Sequence, residues 1–322
     1  MHGSQAGQHA ERIHAALEAD AAAKSALVAS WQRSAALHGL DPAQSAPPRR
    51  LTAAEITETR LKIEPLIHAA QTSMDRLYLA VGGVGCCVML ADRNGVPVDR
   101  RGAPADDDTF DRWGLWTGAV WSEESEGTNG IGTCLIENRP LTIHRDQHFF
   151  ARNTLLSCTT APVYDHEGNL AAALDVSSCR ADLTAGFVNL IAVAVSDAAR
   201  RIEADNFRLA FPKARILVVP TGDKGANALV AVDSDDLVIG ATRSARLALG
   251  ITSEQLKGSL PAADILGEAA KTREELDRAE RGAVHRALVR AGGNVSAAAA
   301  ALGISRATLH RKLKAFGIVR KH

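Results

Sequence analysis

The sequence predicts an α+β protein: an antiparallel sheet with long flanking helices, a small α/β unit and an all-α C-terminus. Three observations carry that prediction. Apolar residues recur at helical spacing before residue 78 and again after residue 183. Between those points they fall in short continuous runs separated by turn residues. From Arg281 onward, helix-cap signals recur at short intervals. With 322 residues, 46% of them apolar and 23% charged, the chain can bury a core in each of two or three domains. The expected parts are 1–77, 78–211, 212–268 and 269–322.

The first part reads as helix, with Ile13, Leu17, Leu27, Val28 and Trp31 at spacings of one helical face. Asp41-Pro42 to Pro47-Pro48 breaks it. Thr52 and Glu55 then form a capping box, flanked by Leu51 and Ile56 as a hydrophobic staple. Pro65 kinks or ends the helix that follows.

In the second part, LAVGGVGCCVMLAD reads as a buried strand and Asn94-Gly95 as a hairpin turn into VPVDRRG. CLIENRPLTIH and LSCTTAPVYD read as further strands, and Asp165 to Gly168 turns the chain into the strand LAAALDVSS. A long helix follows, with Leu183, Phe187, Leu190, Ile191, Ala194, Val195, Ala198 and Ile202 along one stripe. Continued to Phe211 it is about 44 Å long at 1.5 Å per residue. A stripe that overhangs its domain needs another surface, and a second subunit is the simplest one. ALVAVDSDDLVIGAT repeats the strand–turn–strand pattern in the third part, and Thr252–Gln255 gives a second capping box with Ile251 and Leu256 as its staple.

Composition excludes several classes. The longest stretch without a charge, Leu77 to Ala91, has 15 residues and three glycines, short of the ~20 of a membrane helix. The N-terminus lacks the basic-then-apolar pattern of an export signal, so the expected location is cytoplasmic, with no membrane partner. Five cysteines without a CxxC pair point to reduced, partly buried thiols. His144 and His148 stand four apart with Asp146 between them, but no third ligand accompanies them, so no metal and no cofactor is expected.

The net charge of zero hides a split. From Arg281 to His322 there are nine basic residues and no acidic one, while the rest of the chain holds 28 basic and 37 acidic residues. A basic end of this kind points to nucleic acid. Gly292-Gly293 stops one helix, Asn294 caps the next, Gly303 ends it and Ser305 caps the last. The small Ala297 to Ala301 allow close helix crossing, and Leu302, Ile304, Leu309, Leu313 and Phe316 supply a core. This is the anatomy of a helix-turn-helix, whose last helix fits the major groove.

At these residues the chain resembles a known family. NVSAAAAALGISRATLHRKLKAFGI, with ELDRAERGAVHRALVRAGG before it, looks like a Fis-type helix-turn-helix. That resemblance implies phosphate contacts from Asn294 and Ser296. It places Ser305, Arg306 and Thr308 at the start of the recognition helix, and His310, Arg311, Lys312 and Lys314 along the groove or its backbone. Fis-type domains are usually dimeric, so it also implies two half-sites.

A second resemblance covers the middle. WSEESEGTNGIGTCLIENRPLTIHRDQHFF looks like the GAF sensor domain of acetoin- and dihydroxyacetone-type sigma-54-dependent activators, and SWQRSAALHGLDP looks like their start. Residues 228 to 260 resemble the PAS-like unit that follows in those proteins. The departure is the ATPase domain: no GxxxxGK[ST] is present, and the nearest fragment, Thr221 to Gly225, has the wrong spacing. The resemblances therefore imply a sensor joined to a DNA reader without a motor, and not an enzyme. The implied partners are double-stranded DNA, a small-molecule effector, a second copy of the chain and RNA polymerase. Candidate effector-binding residues are Trp113, Trp116, Trp121, Glu126, Thr128, Asn129, Cys134 and Asp175, because aromatic walls with a few polar groups suit a small ligand. Cys134 and Cys158 are expected on strands. Two other readings stay open on the sequence: a GAF-type thiol reductase, and an interaction partner of a full-length ATPase activator.

Overall fold

The computed structural model describes residues 2–19, 25–180, 182–219, 228–258, 260–266 and 272–318. Thr221 to Gly225 lie outside the described residues. The chain divides into two compact units, Met1–Leu260 and Pro261–His322.

The first unit starts with α1 (His2–Glu18) and α2 (Ala26–Gln32), the latter running on as a π-helical turn, Arg33–Leu37. Ile13, Val28 and Trp31 bury together against Phe149 and Phe150, as the helical spacing requires. The Thr52–Glu55 capping box opens α3 (Ala53–Lys62). Pro65 ends α3 by starting α4 (Glu64–Val81), where its missing N–H is no loss. The expected boundary at 77/78 falls inside α4, so Leu79 to Val81 are helix and not strand.

The sheet follows: β1 (Cys86–Asp92), β2 (Pro97–Arg101), helices α5 (Asp107–Arg112), α6 (Glu123–Glu126) and α7 (Gly130–Glu137), then β3 (Leu141–His144), β4 (Ser157–Tyr164) and β5 (Leu170–Ser178). All pairs are antiparallel, in the order β2-β1-β5-β4-β3. The tight turn at Asn94-Gly95 is closed by Gly95 N–H donating to the Asp92 carbonyl at 3.0 Å. One expectation fails here. CLIE belongs to α7, not to a strand, so Cys134 is helical. Asn129 caps α7, and Asn138 stops it in the left-handed conformation at φ 52°.

One face of the sheet is apolar and packs on α4 and on α8 (Ala185–Ala210): Val88, Leu90, Val163, Leu174 and Val176 meet Met74, Leu77, Val195 and Ile202. The opposite face, carrying Cys87, Met89, Cys158 and Ala173, packs on the α5 and α7 side. The stripe on α8 is thus mostly buried within its own chain, through Ile191, Val195, Ala198 and Ile202, while Leu190 is 62% exposed. The overhang is covered as well. Ala204 and Phe207 bury against Leu229 and Ala231 of a second antiparallel sheet, β6 (Arg215–Val218), β7 (Leu229–Val232) and β8 (Val238–Ala241). The length of α8 therefore does not by itself require a second copy. α9 (Arg243–Leu249) and α10 (Ser253–Lys257) follow, the latter opened by the expected Thr252–Gln255 capping box.

The second unit holds α11 (Ala262–Leu266), α12 (Thr272–Arg290), α13 (Val295–Ala301) and α14 (Arg306–Ala315). Val284, Leu288, Ala298, Ala299, Leu309 and Leu313 form its core, with Leu302, Ile304 and Phe316 packed against it. The alanines of α13 allow this close packing, as the sequence predicts.

Candidate functional site

Two regions bring functional side chains together. The first lies on the sheet face covered by α7. Asp175 is in the middle of β5, opposite Thr160 of β4 and Met89 of β1. It is fully buried. Thr160 Oγ1 donates to it at 2.5 Å and Ser177 Oγ at 2.6 Å. Burial pushes its carboxyl up to about 6, although both hydroxyls oppose the shift. Gly130, the first residue of α7, closes over the group. A Cβ there would come within 2.6 Å of Cys158 Cβ and 2.7 Å of Thr160 Oγ1, so only glycine allows the helix to approach this closely.

Asp175 is thus a mid-strand acceptor. Its partners Thr160 and Ser177 are not singled out by the sequence, where each stands next to another hydroxyl residue, Thr159 and Ser178. Cys158 Sγ stands 3.4 Å from His148 Nε2 and 3.1 Å from Ser177 Oγ. Burial raises the thiols of Cys87, Cys134 and Cys158 well above their usual range. Thiols held protonated in this way are poor nucleophiles. Burial also depresses His148 to about 4, and the Arg145 carbonyl accepts from its ring. Among the described residues no cluster of side chains is arranged to hold a metal.

The aromatic loop lies on the same side. Trp121 is buried, and its indole donates to the Gly114 carbonyl at 2.7 Å. Trp113 packs against the same core. The Arg100 guanidinium lies 4.2 Å from the Trp116 ring centroid and 5.4 Å from that of Phe110. Its Nη1 donates to Asp107 at 2.7 Å, while its Nε and Nη2 are buried with no hydrogen-bond partner among the described residues. Sequence reading missed Arg100; a cation next to a tryptophan-rich loop was the available signal.

Glu126 and Thr128 belong to a network with the N-terminal segment. Glu126 is buried and accepts from Arg152 at 2.5 Å, yet burial outweighs this cation and lifts its carboxyl to about 7. Thr128 Oγ1 lies 2.7 Å from Ser30 Oγ, which donates to Glu123 at 2.9 Å. Arg33 bridges Glu123, at 2.6 Å, and Glu137, at 3.3 Å. Asn129 is occupied as the cap of α7, its Oδ1 accepting from Gly132 N–H at 2.8 Å.

The second region is α14. Ser305 Oγ accepts from Thr308 N–H at 3.1 Å, and Asn294 Oδ1 accepts from the amides of Ser296 and Ala297. Both caps are those the sequence predicts. Arg306, His310, Arg311 and Lys314 are exposed, and Thr308 is half-buried. Lys312 departs from expectation: it turns back onto α12 and pairs with Glu280, because the spacing of buried Leu309 and Leu313 places it on the flank of the core. No carboxylate follows Glu280.

Comparison with known proteins adds the following. Residues 4–203 match the family described as "MimR, N-terminal domain", and residues 275–316 match "Bacterial regulatory protein, Fis family". The chain is 34% identical over 262 residues to the acetoin catabolism regulatory protein of Cupriavidus necator, covering 80% of this chain and 39% of that protein. It is 30% identical to MimR, the propane 2-monooxygenase operon transcriptional activator of Mycolicibacterium smegmatis, over 52% of this chain and 27% of that protein. The chain thus spans about two fifths or less of the length of these relatives. A chain of the E. coli DhaR(N)–DhaL complex matches with a TM-score of 0.52 at 13% identity, covering 70% of this chain and 76% of that one. That likeness shows the fold, the GAF-like architecture expected from the sequence. The MimR match covers well over half the chain, which belongs to the family of the MimR N-terminal domain and carries a Fis-family helix-turn-helix behind it.

Proposed function

We propose that this chain is a cytoplasmic DNA-binding transcription regulator. Its GAF-like unit senses a small molecule, and α14 reads promoter DNA without ATPase activity. The observation that carries the reading is the exposed row Arg306, Arg311 and Lys314 on a capped helix whose other side is core. Arg306 and Thr308 reach base edges at the start of α14. Arg311 and Lys314 hold the backbone, and Asn294 and Ser296 approach phosphate at the start of α13. Relatives named for acetoin catabolism and for a propane oxidation operon support a small organic effector. The Arg100 donors that find no partner among the described residues, beside Phe110 and Trp116, support an acceptor-bearing ligand at the aromatic loop. A second copy is a proposed partner, supported by the exposed Leu190 and Val193 on α8, as is RNA polymerase. The three-stranded unit after α8 serves as a PAS-like connector.

The test is selection of genomic fragments on the purified full chain, followed by titration of the selected site and of random DNA. Arg306→Ala should weaken the selected site by about 1–3 kcal/mol and random DNA by less. Equal loss on both would make it a backbone contact. Retention that does not fall with salt would remove α14 as a DNA reader.

A further inference from the structure

A cleft of about 460 Å³ lies inside the first unit, away from the α7 face. The β4–β5 turn, the C-terminal end of α8, β8 and α10 enclose it. Phe211, Ile239 and Leu256 give it apolar walls, and Arg246, Lys257 and His166 give it polar ones. Its shape is built in. The Phe211 ring fills the place of a side chain at Gly240, where a Cβ would come within 2.4 Å of it, and the ring also meets His166 at 6.0 Å.

The cleft is lined by two cations, Arg246 and Lys257, and one acid, Glu167. The Arg246 guanidinium is oriented by two neutral acceptors, the Ala241 carbonyl at 3.0 Å and Ser253 Oγ at 3.3 Å. Among the described residues neither Arg246 nor Lys257 pairs with a carboxylate, although fifteen other ion pairs form. The acid on the opposite wall, Glu167, accepts from Asn169 at 3.3 Å. A fixed guanidinium and an ammonium that pair with no carboxylate among the described residues, beside an aromatic ring, match a carboxylate on a short apolar body.

We propose that this cleft binds a small organic acid, its carboxylate on Arg246 and Lys257 and its apolar part against Phe211 and Leu256. The site is separate from the aromatic loop and does not depend on the DNA-reading function. A ligand here would touch the β4–β5 turn, the C-terminal end of α8 and β8 together, and so would couple the α8 C-terminus to that turn.

Isothermal titration of the full chain with phenylacetate, benzoate and hexanoate, and with phenylacetamide as the uncharged control, tests it. At least one acid should bind, with the amide at least about tenfold weaker. Lys257→Gln, at an exposed side chain, should weaken the acid about tenfold and leave the amide unchanged. Phe211→Leu should weaken both. Arg246→Gln should act like Lys257→Gln in protein whose circular dichroism is native. Absence of acid binding below about 10 mM would overturn the proposal. So would equal binding of acid and amide, or an unchanged affinity in Lys257→Gln.

Discussion

The sensor sheet and the last helix treat charge in opposite ways. Asp175 is withdrawn from water and held by two hydroxyls, and its carboxyl is pushed up to about 6. Glu126 goes to about 7 even with Arg152 against it. On α14, Arg306, Arg311 and Lys314 stay in water, and among the described residues none of them pairs with a carboxylate. A buried charge interacts strongly and is screened little, so it answers to protonation and to small shifts of its neighbours. An exposed charge is screened within about 10 Å at 0.1 M salt, so it answers to ionic strength and to a dense polyanion. One chain thus holds buried carboxyls governed by protonation and exposed cations governed by ionic strength.

Three measurements break or sharpen that contrast. The largest effect is expected at Trp121, a buried side chain whose loss should destabilise the first unit by about 3–5 kcal/mol. All four tryptophans lie in that unit, so fluorescence-detected denaturation of Trp121→Ala reads it selectively. A midpoint unchanged from the parent would show that the aromatic loop is not part of the core.

The next effect is on pH dependence. A carboxyl whose folded pKa lies above its unfolded value binds its proton more tightly when folded. The stability it contributes is therefore complete below about pH 4 and is lost as pH rises through the folded pKa. For Asp175 the loss between pH 5 and pH 7 is about 1 kcal/mol. Glu126 and Glu203, each raised to about 7 by burial, add in the same direction. Asp175→Asn should flatten the fall in denaturation midpoint from pH 5 to pH 7, while the salt slope of DNA binding stays as it was. An unaltered pH profile would place the titration elsewhere.

The smallest effect is expected at the cap of α14. Ser305→Ala should cost about 1 kcal/mol of helix stability and Ser305→Gly only a few tenths. DNA affinity should fall in the same order. If both variants bind equally, the hydroxyl has no role in holding the recognition helix.

Local signals are legible in the amino-acid sequence. The Thr52–Glu55 box, the Asn94-Gly95 turn and the caps at Asn294 and Ser305 stand where the sequence places them, since each depends on residues no more than four apart. CLIE has the composition of a strand yet forms a helix, because so short an apolar run carries no period of its own. Asn129 before it and Asn138-Arg139-Pro140 after it were the helix signals that run contained. Trp113, Trp116 and Trp121 could be singled out by clustering, but not the burial of Trp121 or the Arg100 contact on Trp116.

By itself, the sequence determined the α+β class, the helix caps, the three hairpin patterns and the basic, acid-free terminus, because propensity, capping and charge are properties of neighbouring residues. Tertiary structure decided which groups meet across the chain. It brought Ser30 to Glu123 and Thr128, Arg152 to Glu126, and Thr160 to Asp175. It also turned Lys312 back to Glu280 and buried the overhang of α8 under a second sheet. Such pairings depend on how distant segments pack to exclude water, and no local pattern in one sequence encodes which distant partner a buried polar group will find.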